Sequence, residues 1–232
     1  MNKHFWTAVL LIGLMSAPAL AGKFGIHFFG ADSTKIPADA EAGEASVAQK
    51  HWNNLTISEA DPNGHSNRGA LPKVTDDAGK SVSGVTVETK ATEKTQVWAK
   101  DAANWGFTGG DEKLHIGMAY PQPRIIVKAI PYKKYDVYVY LTAGENGGSG
   151  AVKISVTKDS PGKVDEKNEY VYKLGWTDGK YVRAESQTKE DSVISNYVRF
   201  EGNSAKSFTL DINGKLAGGW TGVAGVQVVE VK

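Results

Sequence analysis

Residues 135–156 read YDVYVYLTAGENGGSGAVKISV, and this stretch decides the fold class. In its first half, YDVYVYLT, every second side chain from Tyr135 to Leu141 belongs to one apolar row, and VKISV repeats this alternation at 152–156. Successive side chains of a β-strand point to opposite faces, so a period of two is typical of strands. The segment between the two runs, 144–150, is rich in glycine, which favours tight turns. The stretch therefore predicts two strands joined by a glycine-rich turn.

The same alternation recurs along the chain from Lys23 onward. Val, Ile, Thr, Tyr and Phe, which are enriched in strands, dominate these runs. The further candidate strands are KFGIHFFG (23–30), SGVTVET (83–89), TQVWA (95–99), EKLHIGM (112–118), RIIVKAI (124–130), EYVYKL (169–174), SNYVRF (195–200), SFTLDI (207–212) and VAGVQVVEVK (223–232).

Turn chemistry separates these runs. Residues 131–134 (PYKK) join two of them, and Asn213-Gly214 fits a type I′ hairpin turn. The composition of residues 38–50 favours a helix, but Gly43 and the lack of an apolar stripe predict coil or a single turn. About ten short strands without alternating helices favour an all-β protein. We predict one domain over residues 22–232, a single antiparallel two-sheet sandwich of the jelly-roll type, with ligand sites on its loops or on one sheet face.

Composition excludes several classes of protein. The 232 residues carry 27 Lys and Arg against 26 Asp and Glu, and a net charge of +1 gives no basic surface for nucleic acid or an anionic membrane. The chain has no cysteine, which excludes disulfides, thiolate zinc sites, cysteine nucleophiles and a lipidated N-terminal Cys.

Residues 1–21, MNKHFWTAVLLIGLMSAPALA, have the layout of a secretory signal peptide. A short basic start precedes an apolar run, and Ala19-Leu20-Ala21 forms an A-x-A cleavage pattern before Gly22. The sequence thus predicts a protein that is secreted, periplasmic or on the cell surface. No later apolar run approaches the length of a membrane span. The alternative is an N-terminal anchor helix that is left uncleaved.

The common enzyme motifs are absent. The sequence contains no G-x-S-x-G, H-E-x-x-H, G-x-x-x-x-G-K-[ST] or G-x-G-x-x-G. A glycosidase needs two facing carboxylates, and no pair among the evenly spread acids is singled out. We therefore predict a protein that is not an enzyme.

A metal site is not assigned from the sequence. His27 and His115 lie in strand-like runs where both side chains can share one side of a sheet, but a transition-metal site needs three or four ligands. Oxygen ligands suited to a structural calcium ion occur in several loops. These are the loops of Asp32, Asp76-Asp77, Asp111-Glu112 and Asp159.

Five tryptophans remain after residue 21, and three are candidate ligand residues. Trp52 and Trp98 lie next to segments with strand-like alternation, and we predict that both are core residues. Trp105, Trp176 and Trp220 stand among Gly, Thr and Asp, where loops expose side chains. The C–H face of a sugar stacks on such an indole, and neighbouring carboxylates bond its hydroxyls. The neighbouring carboxylates that we select are Asp111 and Asp178. The alternative for each tryptophan is a side chain folded back over the end of the sandwich.

Several pieces in order resemble exported bacterial β-sandwich modules of the galactose-binding-like, carbohydrate-binding-module type. The pieces include FGIHFFG at 24–30, QKHWNNLT at 49–56, DDAGKSVSGVTVET at 76–89 and the closing GVAGVQVVEV at 222–231. The resemblance covers about residues 23–231, and its most specific element is HWNNL. The resemblance implies an exported jelly roll that accompanies polysaccharide-handling proteins, and it implies no catalytic site.

Three functions follow as hypotheses. The first is an exported, non-catalytic glycan-binding protein that uses Trp105, Trp176 and Trp220. The second is a structural or adhesive cell-envelope protein that contacts another protein through a sheet edge or an apolar patch. The third, a hydrolase of unknown type, needs a cleft with converging carboxylates or histidines.

Overall fold

A computed structural model describes residues 22–30, 35–57, 68–91, 98–103 and 105–232, with the backbone alone for 98–101. These ranges contain fifteen β-strands and one α-helix, so the protein is all-β as the alternation predicts. In chain order the elements are β1 (Lys23–Phe29), β2 (Asn53–Thr56), β3 (Gly69–Leu71), β4 (Val74–Thr75), β5 (Ser81–Val82), β6 (Thr86–Ala91), β7 (Trp98–Asp101), α1 (Gly109–Ile116), β8 (Gly117–Tyr120), β9 (Pro123–Lys128), β10 (Tyr135–Ala143), β11 (Gly148–Val156), β12 (Glu169–Leu174), β13 (Tyr197–Asn203), β14 (Phe208–Ala217) and β15 (Thr221–Glu230). Across these ranges no helix reaches the length and apolarity that crossing a bilayer demands. The predicted leader 1–21, Asp32 and the side chain of Trp98 lie outside the description.

The strands form two large sheets and a small two-stranded one. The first sheet has the order β13-β10-β15-β1-β2, with β8 pairing β15 and β7, and the second has the order β12-β11-β14-β9-β6-β3. Pairing is antiparallel except between β1 and β2, which run parallel. Strands β4 and β5 pair with each other alone. The prediction of antiparallel sheets is thus confirmed, apart from the parallel pair at one edge.

Both large sheets contribute to one hydrophobic core. On β1, Phe24, Ile26 and Phe28 are fully buried in it, as the alternation predicts. They share that core with side chains of the second sheet such as Ile125 and Leu210. On the opposite face of the second sheet lie charged residues, including the ion pair of Arg124 with Asp211 on β9 and β14 and that of Lys128 with Glu88 on β9 and β6.

The outer face of the first sheet is covered as well. We call residues 35–52 together with α1 the cover. Trp52 and Leu114 from the cover pack on Tyr138 and Tyr140 of β10 in a second apolar cluster. All nine residues of β10 are therefore buried, on both faces of the strand. Trp52 is buried as predicted, and residues 38–50 form turns rather than a helix, also as predicted.

Two local predictions were wrong. The run EKLHIGM, predicted to be a strand, forms most of α1 and only the start of β8. Asp111 and Glu112 in the first turn, with Lys113 in the last, complement the helix dipole, and Leu114 is buried. Asn213-Gly214 makes no hairpin turn.

Residues 213–214 instead lie inside β14, where the pairing with β11 shifts between Ser149 and Ala151. The strand continues past the shift to Ala217. The turn between β14 and β15 follows at residues 218–220. The Asn-Gly pair therefore lies at a strand irregularity, a place where glycine is also common.

Tyr140 links the cover to the first sheet through its hydroxyl. This hydroxyl accepts the backbone N–H of Glu44 at 3.0 Å and donates to Oε1 of Gln227 at 2.7 Å. Nε2 of Gln227 donates in turn to the carbonyl of Val47 and to Oε1 of Gln49. The buried polar groups beneath the cover therefore bond to one another.

We expect Tyr140→Phe to lower the free energy of unfolding by about 1–3 kcal/mol, because the Glu44 N–H and the Gln227 amide lose a buried partner. Urea unfolding of residues 22–232, followed by tryptophan fluorescence, measures this change. Tyr138→Phe is the matched control, since that hydroxyl makes no hydrogen bond within the described ranges, and we expect a change below about 0.5 kcal/mol. Equal effects of the two substitutions would contradict the proposed link.

Candidate functional site

Trp220 is an exposed tryptophan at one end of the two sheets. It lies in the turn between β14 and β15, and 47% of it is exposed. The edge of its ring meets the Tyr120 ring at a centroid distance of 5.8 Å, and Lys215 Nζ lies 3.9 Å from the ring centroid. The cation and the second ring hold the indole in place. Trp220 is thus exposed as predicted, and its role in binding stays a prediction.

A pocket of about 220 Å³ opens beside this indole. Its walls are Trp220, Tyr120, Met118 and the segment Gly144–Gly147. The segment supplies the side chains of Glu145 and Asn146 and the backbone of two glycines. An aromatic wall next to a few polar groups is the usual composition of a small-molecule site.

Trp176 is the most exposed of the large apolar side chains in the described ranges, at 64%. It lies in the loop after β12, and the buried side chain of Asn196 forms hydrogen bonds to this loop. The Asn196 amide donates to Thr177 Oγ1 at 3.1 Å and to the carbonyl of Lys180 at 2.7 Å, and its oxygen accepts the N–H of Val182. The indole is therefore displayed from a loop with little freedom.

Trp105 is buried, so the prediction that it is an exposed loop residue was wrong. Only 6% of it is accessible, and it packs in the core shared by the sheets. Its φ is +52°, and its carbonyl accepts the N–H of Gly179 at 3.0 Å. A Cβ at Gly106 would lie 2.8 Å from the backbone N of Gly179, so the two loops approach closely next to Trp105. The folded-back alternative applies to this tryptophan.

The two selected carboxylates have different surroundings. Asp111 is partly buried, and its Oδ1 accepts the N–H of Gly43 at 2.8 Å and the hydroxyl of Tyr181 at 2.6 Å. Burial raises the pKa of Asp111, and these two bonds offset part of that shift. Asp111 therefore ties α1 to the rest of the cover. Asp178 is exposed, with φ of +56°, two residues beyond Trp176.

Sequence reasoning missed Tyr120, Asn146 and Lys215. Tyr120 ends β8, a strand whose position was misjudged, and Lys215 belongs to the part of β14 beyond the supposed hairpin turn. The signal that was available for Asn146 is the density of glycine around it, which predicts a loop but not which strands lie beside that loop.

In one of the loops considered for calcium, both carboxylates have partners within the protein. Asp76 accepts the N–H groups of Ala78 and Lys80 in its own turn, and Asp77 pairs with Lys23 at 3.8 Å. Within the described ranges, no three His, Asp or Glu side chains converge as a metal ion requires. The identity of any bound metal stays open, as it did from the sequence.

Two histidines are buried where the cover meets the first sheet. His27 on β1 and His115 on α1 have no accessible surface. The His115 ring stacks on Phe107 with centroids 4.1 Å apart and planes 1° apart. Because His115 is on the helix, the two rings do not share a sheet face as the sequence suggested.

Burial keeps both imidazoles neutral. The side-chain oxygen Oδ1 of Asn54 accepts the backbone N–H of Ile36 and lies 2.9 Å from Nδ1 of His27. Because an amide oxygen only accepts hydrogen bonds, Nδ1 carries the proton of the neutral ring and Nε2 carries none. Burial lowers the pKa of His27 to about 4 and outweighs its contacts with Asn54 and the Lys113 backbone. Burial, with a smaller effect of His27, lowers the pKa of His115 to about 3.

We expect the free energy of unfolding to fall as the pH drops from about 6.5 to 5. The unfolded chain takes up protons on both histidines in this window and the folded chain does not, so the slope approaches about 2.7 kcal/mol per pH unit for two groups. His115→Phe keeps the stack on Phe107 and should lower this slope by up to half. Urea unfolding at a series of pH values tests this, with His51→Phe, at a partly exposed position, as control. A slope unchanged by His115→Phe would refute the argument.

Trp176, Trp220 and Asp178 are thus exposed, whereas Trp105 is buried in the core and Asp111 is partly buried; the ligand-binding roles stay predictions. No family model matches this chain, and no curated protein or solved structure shows significant similarity to it.

Proposed function

We propose that this protein is an exported, non-catalytic glycan-binding protein with a jelly-roll sandwich. The sheet orders support the jelly roll, because β15 lies between β10 and β1 and β14 lies between β11 and β9. Such crossings between strands distant in sequence are a feature of Greek-key sandwiches. Export, to the periplasm, the surface or the medium, is supported by the signal-peptide pattern of residues 1–21.

The observation that carries the binding proposal is the Trp220 pocket. An indole that is about half exposed and fixed by Tyr120 and Lys215 loses little entropy when a sugar stacks on it. Asn146 and Glu145 add groups that bond hydroxyls beside the apolar wall. Of the residues that line this pocket, one is a carboxylate, whereas glycoside hydrolysis commonly uses two. This composition supports binding without cleavage.

A second candidate function is that of a structural or adhesive envelope protein with a protein partner. Three large side chains near the end of β12 favour it, since Trp176, Val193 and Ile194 are 64%, 63% and 43% exposed. Exposed apolar side chains in proximity are a feature of interfaces. Cross-linking on intact cells that recovers a protein partner, together with no glycan retention, would favour this function over the first.

We expect Trp220→Ala to weaken glycan binding about tenfold or more, because truncating an anchoring aromatic removes most of its contact energy. Affinity gels that contain mixed-linkage β-glucan, xylan, glucomannan, pectin or alginate measure retention of residues 22–232. Val156→Ala, at the far end of β11 and 40% exposed, is the control and should leave retention unchanged. If no gel retains the wild-type protein, or if Trp220→Ala binds as well as wild type, the proposal fails.

We also expect the exported chain to begin at Gly22. In the fold the Gly22 nitrogen lies 3.1 Å from Oε2 of Glu230, so a new ammonium at this position gains an opposite charge. Expression of the full chain in a bacterial host, followed by intact-mass measurement of the exported product, determines the start. A product that retains residues 1–21 would support the uncleaved anchor instead.

A further inference from the structure

The two exposed tryptophans stand on either side of one loop. Strand β11 pairs with β12 on one side and with β14 on the other, and its first residues face Leu174 and Ala217. Trp176 follows Leu174 by two residues, and Trp220 follows Ala217 by three. Adjacent strands lie about 4.8 Å apart, so the two indoles start from strand ends that are about 10 Å apart.

Backbone contacts hold the three segments together. A Cβ at Gly147 would lie 2.5 Å from the carbonyl oxygen of Leu174 and 3.9 Å from the Cα of Gly175. A Cβ at Gly219 would lie 2.5 Å from the carbonyl oxygen of Gly147. The loop residue Gly147 therefore touches the residue before Trp220 on one side and the residue before Trp176 on the other.

Glycine lets the backbones of these segments approach closely between the two indoles. Gly147, Gly148 and Gly218 have positive φ, and a Cβ at any of them would meet backbone of a neighbouring segment, with the Thr221 side chain as well at Gly148. A Cβ at Gly144 would have no atom within 4 Å. At Gly144 a ligand can therefore approach the backbone without a side chain in the way.

We propose, on the basis of the proposed function, that Trp176 and Trp220 form one extended site for the interior of a linear glycan chain. One sugar ring is shorter than the gap between the strand ends, so a single unit contacts one indole and a chain of several units contacts both. The Trp220 pocket binds one unit, the glycine backbone lies along the next units, and Trp176 stacks on a later one. Asp178, exposed beside Trp176, is placed to bond hydroxyls at that end.

The test is the dependence of affinity on chain length. The probes are oligosaccharides from monosaccharide to hexasaccharide, prepared from whichever polysaccharide the affinity gels retain, with binding to residues 22–232 measured by calorimetry. We expect affinity to rise with length until both indoles are reached. We expect Trp176→Ala to weaken the hexasaccharide about tenfold and leave the disaccharide unchanged, and Trp220→Ala to weaken both.

Val156→Ala is the control, because its side chain is 40% exposed and lies at the end of β11 that is far from both indoles. It should leave the hexasaccharide affinity unchanged. Two results would overturn the extended site while the Trp220 site stands. One is a Trp176→Ala variant that binds the hexasaccharide with wild-type affinity, and the other is a wild-type affinity that does not rise beyond the monosaccharide. A wild-type protein that no polysaccharide retains would overturn both proposals.

Discussion

The packing of Trp52 on two glycines is the contact on which the rest of the structure depends. A Cβ at Gly25 would lie 2.7 Å from the indole, and one at Gly225 would lie 3.1 Å from it, so neither β1 nor β15 tolerates a larger residue there. The indole N–H lies 3.2 Å from the carbonyl oxygen of Ala42 and 3.1 Å from that of Gln49. These contacts pack the cover closely against the first sheet. Tyr140 and the two buried histidines lie at this interface.

Period-two patterning predicts strands well where one face belongs to the shared core, as Phe24, Ile26 and Phe28 show. It does not predict what lies on the other face, because the same alternation suits a solvated face and one covered by another layer. Tyr138 and Tyr140 alternate with the row of β10 that faces the shared core, yet residues 35–52, more than eighty positions earlier, bury them. Burial of this kind depends on long-range contacts that local pattern does not contain.

The candidate site was predictable in residue type but only partly in exposure. Trp105, Trp176 and Trp220 all stand beside glycine, and glycine has two opposite uses here. Next to Trp105, Gly106 allows a close approach to the backbone of Gly179, and the indole is buried. Next to Trp220, Gly219 allows a close approach to the backbone of Gly147, and the indole is exposed. The sequence alone does not distinguish these arrangements.

For the proposed stacking site, the other surfaces of the fold are less suitable than the end that carries Trp176 and Trp220. The inner faces of both sheets form the core, and the cover occupies the outer face of the first sheet. The outer face of the second sheet carries paired charges such as Arg124 with Asp211, which water solvates well and an apolar sugar face does not match. Trp176 follows β12 and Trp220 follows β14, and both strands pair with β11. The hydrogen bonds of the second sheet therefore set the positions of both tryptophans. The proposed site would thus be positioned by the sheet before a ligand arrives, which would reduce the entropy lost on binding.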